Sequence, residues 1–468
     1  MEQPNGNITI LGDGQAIPAG TTKAPRKANW YDTFSYINNP RKFCWQNLKK
    51  YGAVFNTGVF GGNTIFVGSS NAVQMVFNGD LKYTEIALPD TTMDMFGEYS
   101  LFQRGDLHRE RKSALRPGLT GSILEEYMPR INQIVIDGLN DWTDGKISLY
   151  PAVKKISFKI LAPLLLGINL DETDAKCFEG LPLDNLKELK SLYQIYFDGF
   201  YGLLKWKSSL TAYGRGIKAR AKLLEFMRAV IQRRRSSPEA IDPNNDFLSM
   251  MLFAQQQNPD GVFSDALIEN QCLLQLWASH YEISGLISSL IYQLGKYPQV
   301  LDKLRVEQQK ITGEGEGSSK TFTREQLKQM NFLEITIKET LRILPPTSTA
   351  NRRLTKSVIV DGILYPQGST IIAEPRLSHA MPEHFEHPER FEPERFLPPR
   401  NEGRMYEFIP FGGGVHACLG AQMAIAISKI FISHLIDLFD WELTGEPSFV
   451  QFPIVRIKDN YQIKLRKR

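Results

Sequence analysis

The chain has 468 residues, 42% of them hydrophobic and 23% charged, the composition of an ordinary globular protein with room for a large core and a buried cofactor. Its 55 Lys and Arg against 51 Asp and Glu give a formal net charge of +4, too mild to argue for a nucleic-acid partner. No run of 18 or more apolar residues reads as a membrane span, and the N-terminus lacks the basic and apolar regions of a signal peptide, so a cytoplasmic location is expected.

Residues 1–29 are rich in Gly, Pro, Asn and Thr and are expected to form an irregular tail ahead of one domain spanning 30–468. Two β-rich runs, Val54 to Phe60 and Thr64 to Val67, flank Gly61-Gly62-Asn63 and predict a hairpin. After Lys82 the pattern is mostly helical for about 250 residues, broken by Gly and Pro clusters. One predicted helix is unusually long. Ser264 or Asp265 can cap it, and no proline interrupts it before Pro298, so it should cover Ala266 to Tyr297. It carries Leu, Ile and Trp on several faces, which places it in the core, yet its centre reads Trp277-Ala278-Ser279-His280-Tyr281-Glu282-Ile283-Ser284. Polar groups inside an apolar helix need partners and often mark a site.

Thr323-x-x-Gln326 predicts a capping box, and a helix from Phe332 to Ile343 should stop at Pro345-Pro346. Val358 to Ile372 alternates through a turn at Gly362. Met381 to Gly403, dense in Pro, Glu and Arg, should be an irregular meander, and Pro453 to Leu465 a closing hairpin. Arg233-Arg234-Arg235 reads as an exposed helix end.

Chemistry concentrates in Phe411-Gly412-Gly413-Gly414-Val415-His416-Ala417-Cys418-Leu419-Gly420. The glycines allow tight turning and close approach to a flat object. Cys418 lies just before a helix-forming run, where backbone N–H groups favour the thiolate. Such a thiolate suits a haem iron as axial ligand. The other cysteines, Cys44, Cys177 and Cys272, are scattered, form no CxxC pair, and read as small buried hydrophobes. Upstream, Glu339 and Arg342 share a helix face at i, i+3. Arg395, in Phe391-Glu392-Pro393-Glu394-Arg395-Phe396, could join them in a structural charge network.

With these three elements in this order, the chain resembles the cytochromes P-450, haem-thiolate monooxygenases, over residues 30–468. The resemblance implies a mainly α fold with a small β-rich lobe, a single large domain enclosing haem b. It implies Cys418 as the metal ligand in a loop whose Phe411, Gly412 and Gly420 border the haem. His108, Lys112, Arg352 and His416 match the positions that contact the haem propionates. His108 stands where many members have Trp, and Lys112 where they have Arg. The His108 variant and the Phe411-Gly412-Gly413-Gly414 start are similar to the retinoic-acid hydroxylases of vertebrates and their cyanobacterial relatives. That implies a bacterial, soluble enzyme of secondary metabolism acting on an elongated apolar or aromatic small molecule. Electrons would come from NAD(P)H through a separate ferredoxin or flavodoxin and its reductase, docking near Arg104, Arg109, Arg111 and Arg116.

The departure lies on the long helix. The family's usual Gly, acid and alcohol are replaced by Ser279, Tyr281 and Glu282. Ser279, His280, Tyr281 and Glu282 are therefore the catalytic candidates, with Glu282 as distal proton donor if burial raises its pKa. Phe96, Phe102, Phe197, Tyr201, Trp277 and Ala278 are the candidate substrate contacts. The expected reaction is hydroxylation of a retinoid-like or terpenoid substrate. Open alternatives are oxidative radical coupling of phenol- or indole-type rings, peroxide-driven oxidation, a haem-thiolate isomerase, and a non-catalytic haem sensor.

Overall fold

The computed structural model describes residues 8–12, 14–101, 105–168, 178–200, 202, 205–313, 321–347, 350–451 and 454–468. The chain forms two compact units, each assembled from separated stretches of sequence.

The first unit takes residues 1–88, 332–418 and 448–458 and holds most of the sheet. Its five-stranded sheet runs Val54–Thr57, Thr64–Val67, Thr370–Ala373, Ala350–Leu354, Thr84–Ile86. The expected hairpin is there, with Val54 opposite Val67 and Thr57 opposite Thr64. Phe55 and Phe66 stack across it at 5.6 Å. A second sheet orders Ile8–Ile10, Val358–Val360, Ile363–Tyr365, Thr22–Lys23. Asp361 and Gly362, both at positive φ, make the two-residue turn between its central strands. Two strands thus fall inside the segment expected to be an irregular tail. Ile8-Thr9-Ile10 is too short to stand out from its Gly- and Pro-rich surroundings, and it becomes a strand by pairing with Val358–Val360, about 350 residues away in sequence.

The second unit takes residues 89–331, 419–447 and 459–468 and is helical. The long helix covers Asp265–Lys296, within one residue of the expected bounds, and Ser264 caps it by accepting from Leu267 N. Leu149–Leu166 packs along it. The capping box forms as expected: Gln326 N donates to Thr323 Oγ1 at 3.3 Å and Thr323 N to Gln326 Oε1 at 2.9 Å. Helix Ala421–Leu438 is long and apolar enough to pass for a membrane span, but 61% of it is buried in the core.

Two local expectations change. The C-terminal alternation is not one hairpin: Arg456–Ile457 pairs with Phe449–Val450, while Gln462–Lys467 pairs with Phe439–Leu443 and Gly145–Ser148. Alternation marks strands but cannot choose their partners. Nor is the arginine run simply an exposed end. Arg234 binds Asp246 at 2.8 Å and Gly167 O at 3.1 Å, and Arg235 pairs with Asp265.

Candidate active site

Glu339, on helix Asn331–Ile343, is wholly enclosed, and its carboxylate accepts four hydrogen bonds. Arg342 donates Nε and Nη2 to it at 2.8 Å each, Arg395 Nε at 3.0 Å and Glu392 N at 2.9 Å. Arg342 also donates to the carbonyls of His379 and Pro388, and Arg395 to that of Glu386 and to Glu402. The irregular segment after Met381 has little secondary structure of its own, and these donors pin its carbonyls in place.

The cysteine loop rests on the same unit. Gly412 and Gly414 sit at φ 69° and 62°, where other residues are strained. A Cβ on Gly414 would meet Phe77 O at 2.1 Å, and one on Gly413 the Phe77 ring at 2.6 Å, so close packing excludes side chains at both. Cys418 N donates to Phe411 O at 2.8 Å and closes the loop. Cys418 is exposed, three residues before helix Ala421–Leu438, whereas Cys44 and Cys272 are buried and burial pushes their thiols up. Cys177 lies outside the described residues.

A second feature of this unit escaped the sequence reading. Asp80, 7% exposed, places Oδ1 3.5 Å from His416 Nε2, and its field acts on Arg352. Arg352 is equally buried. Its Nη1 donates to Asn351 O, while its Nε finds no partner. An unsatisfied buried guanidinium nitrogen calls for an anionic acceptor. The one hint in sequence is that Asp80 ends a run of 29 residues, 51–79, without a charged side chain.

In the second unit His108 is buried, with Nδ1 2.6 Å from Leu101 O, and Lys112 is half-buried one turn later. Arg111, expected on a docking face, turns inward instead and donates to the carbonyls of Glu98 and Ser100 at 3.0 Å each. Position i+3 from His108 puts it on the buried side. Arg109 and Arg116 are exposed, and Arg104 lies outside the described residues.

The long helix is buried on every side along residues 270–294 except at Gln275, Ala278, Ser279 and Glu282. These are i, i+3, i+4 and i+7, a single accessible stripe. Ser279 Oγ donates to Gln275 O at 2.7 Å. Glu282 is partly exposed as a residue, yet its Oε2 is enclosed and has no hydrogen-bond partner. Burial pushes its carboxyl up to about 8.

His280 and Tyr281 leave the stripe. His280 lies 4.8 Å from Phe158, with Nε2 near Lys154 O, and burial holds it well below the usual imidazole range. Tyr281 stacks on Phe197 at 4.2 Å and donates its hydroxyl to Gln194 at 3.2 Å. Of the expected substrate contacts, Ala278 is on the stripe. Phe96, Phe197 and Trp277 are buried in one aromatic cluster, where Trp277 stacks on Phe200 at 4.2 Å. Phe102 and Tyr201 lie outside the described residues.

The cytochrome P450 family model matches residues 18–465. The chain belongs to the cytochrome P450 family. It is 28% identical to cytochrome P450 120 of Synechocystis over 96% of each chain. It is 29% identical to cytochrome P450 26A1 of Danio rerio, covering 96% of this chain and 90% of that one. A solved structure titled "Retinoic acid bound cyanobacterial CYP120A1" superposes with a TM-score of 0.83 at 27% identity, over 96% of this chain and all of that one. This P450 is thus an oxidoreductase of the monooxygenase class acting on small organic molecules, and the family implies haem b. The residues fit that group: an exposed thiol in a glycine-built loop, and a buried guanidinium with a nitrogen left for an anion.

Proposed function

We propose that this P450 hydroxylates an elongated apolar molecule of retinoid or terpenoid type, with Glu282 in place of the usual acid and alcohol pair. The observation that carries the proton-handling role is the enclosed, unpartnered Glu282 Oε2 on the accessible stripe. The substrate class draws on the relatives, one of which was solved with retinoic acid bound.

Haem, when bound, would supply oxygen activation, and the Cys418 thiolate would ligate its iron. The loop from Phe411 fixes where that sulfur sits. Arg352 and His416 of the first unit would supply donors for the propionates, with Asp80 beside His416, and in the second unit His108 and Lys112 would be donors of the same kind. On the long helix, Glu282 stays protonated at neutral pH and holds a transferable proton at its carboxyl. Ser279 has committed its own proton to Gln275 O, so it can accept from a bound molecule but not donate to it. Ala278 leaves the stripe low. Electrons would come from NAD(P)H through a separate ferredoxin or flavodoxin.

Radical coupling would use His280, Tyr281 and Glu282 to orient aromatic rings, and His280 and Tyr281 are engaged in the core, which leaves Glu282 alone of that set on the stripe. The test has two arms. The carbon-monoxide adduct of the reduced protein should show the red-shifted Soret band of thiolate ligation, and Cys418→Ala should lose it. Retinoic acid should bind with a shift in iron spin state and return a singly hydroxylated product. Dimeric products from aromatic substrates would overturn the reaction assignment, and a spectrum unmoved by retinoic acid would overturn the substrate class.

A further inference from the structure

The Glu339 network and the cysteine loop are far apart in sequence, and a buried histidine of the first unit joins them. His379 is 2% exposed, and its two ring nitrogens have partners that fix its tautomer. Ile409 N donates to its Nε2 at 3.0 Å, so that nitrogen carries no proton. The other nitrogen, Nδ1, then carries the proton and donates to Arg342 O at 3.2 Å. Arg342 returns the contact by donating Nη1 to His379 O at 3.1 Å. The end of helix Asn331–Ile343 and the histidine are thereby clasped at two points.

The far side of the ring reaches the loop. Ile409 is as buried as the histidine, and its carbonyl accepts from Gly412 N at 3.1 Å. Only Pro410 separates it from Phe411, whose carbonyl accepts from Cys418 N at 2.8 Å. Ser378 makes a parallel contact, with Oγ donating to Glu407 O at 2.8 Å. The imidazole packs against Phe385 and Phe408, whose ring centroids lie 6.0 and 5.3 Å away. Arg342 and His384 are the charged and titratable groups that face it. Burial first, and those two neighbours after it, bring its pKa down to about 3. The ring therefore stays neutral at working pH, as a nitrogen that accepts from Ile409 must.

We propose that His379 is a positioning residue for the thiolate: it carries the fixed geometry of the Arg342 helix end to the turn at Ile409 and so sets where the Cys418 loop begins. Without the ring, a buried N–H and a buried carbonyl would both lose their partner. The inference rests on Cys418 as the iron ligand and not on the substrate class.

Two variants of the haem-loaded enzyme test it. His379→Phe keeps a flat ring and removes both donor and acceptor, whereas His379→Gln keeps one of each on its amide. The reduced carbon-monoxide adduct of the wild type should hold the red-shifted Soret band of thiolate ligation. In His379→Phe that band should decay at least tenfold faster, and exchange of the Ile409 amide should rise at least tenfold. His379→Gln should restore most of both, a rescue that ring packing alone would not give. If His379→Phe does not fold, the wild type still decides. With labelled histidine, nitrogen NMR should show His379 protonated on Nδ1 alone, even at about pH 5, where a free imidazole is mostly charged. A His379→Phe band as long-lived as that of the wild type overturns the inference, as does a proton on Nε2 at neutral pH. A wild type with no thiolate band overturns the ligand assignment and this inference with it.

Discussion

Glu339 and Glu282 are both glutamates on helices with enclosed carboxylate oxygens, and the protein treats them in opposite ways. Glu339 receives donors from two arginines and a backbone N–H, and those arginines hold carbonyls of the following segment. Glu282 Oε2 receives nothing. A carboxylate that accepts four hydrogen bonds is part of the scaffold, because any change in its charge strands its partners. A carboxyl kept neutral by burial and left without a partner costs stability, and such groups persist where a bound molecule uses them.

The sharpest test is to make the same substitution at both. Glu339→Gln should destabilise by about 3–5 kcal/mol, because buried Arg342 loses its counter-charge and Arg395 keeps only its other carboxylate partners such as Glu402. Denaturant unfolding measures this, and a loss under about 1 kcal/mol would remove the distinction. Glu282→Gln should leave the melting temperature near wild type or raise it, and lower turnover by about 10²-fold.

The pH dependence follows from the same contrast. The folded protein keeps Glu282 protonated up to about 8, whereas the unfolded chain releases that proton in the ordinary carboxyl range. In that window the native state binds more protons, so this group's contribution to stability falls as pH rises. Turnover that uses the proton should also fall as pH rises through about 8. Glu282→Gln should flatten both profiles, which unfolding and steady-state assays across pH would read.

Two smaller effects sharpen the scaffold side. Asp80→Asn should loosen His416 and speed haem transfer to an apo-globin acceptor severalfold without unfolding the protein; an unchanged rate would make Asp80 a bystander. Thr323→Ala removes one half of the capping box and should cost about 1 kcal/mol by denaturant unfolding.

Features that depend on neighbours in sequence were legible. The long helix starts at the expected cap, the capping box closes, and the first hairpin pairs as its glycines suggest. The charge network was legible too, since Glu339 and Arg342 share a face and Arg395 sits in a recognisable run. The sidedness of the long helix was not. Its apolar residues cover several faces, so no amphipathic pattern shows which side stays open, and His280 and Tyr281 read as catalytic candidates beside Glu282. Packing against Phe158 and Phe197 separates them.

The sequence by itself determined the family, the first hairpin and the local caps, because each rests on residue types at short, fixed spacings. Only tertiary structure decided that Ile8–Ile10 is a strand, that Arg111 points inward, that Asp80 meets His416, and that Ser279 and Glu282, but not His280 or Tyr281, lie on the open stripe. Those outcomes depend on contacts between residues far apart in the chain or on which side of a helix its neighbours cover, and periodicity records neither.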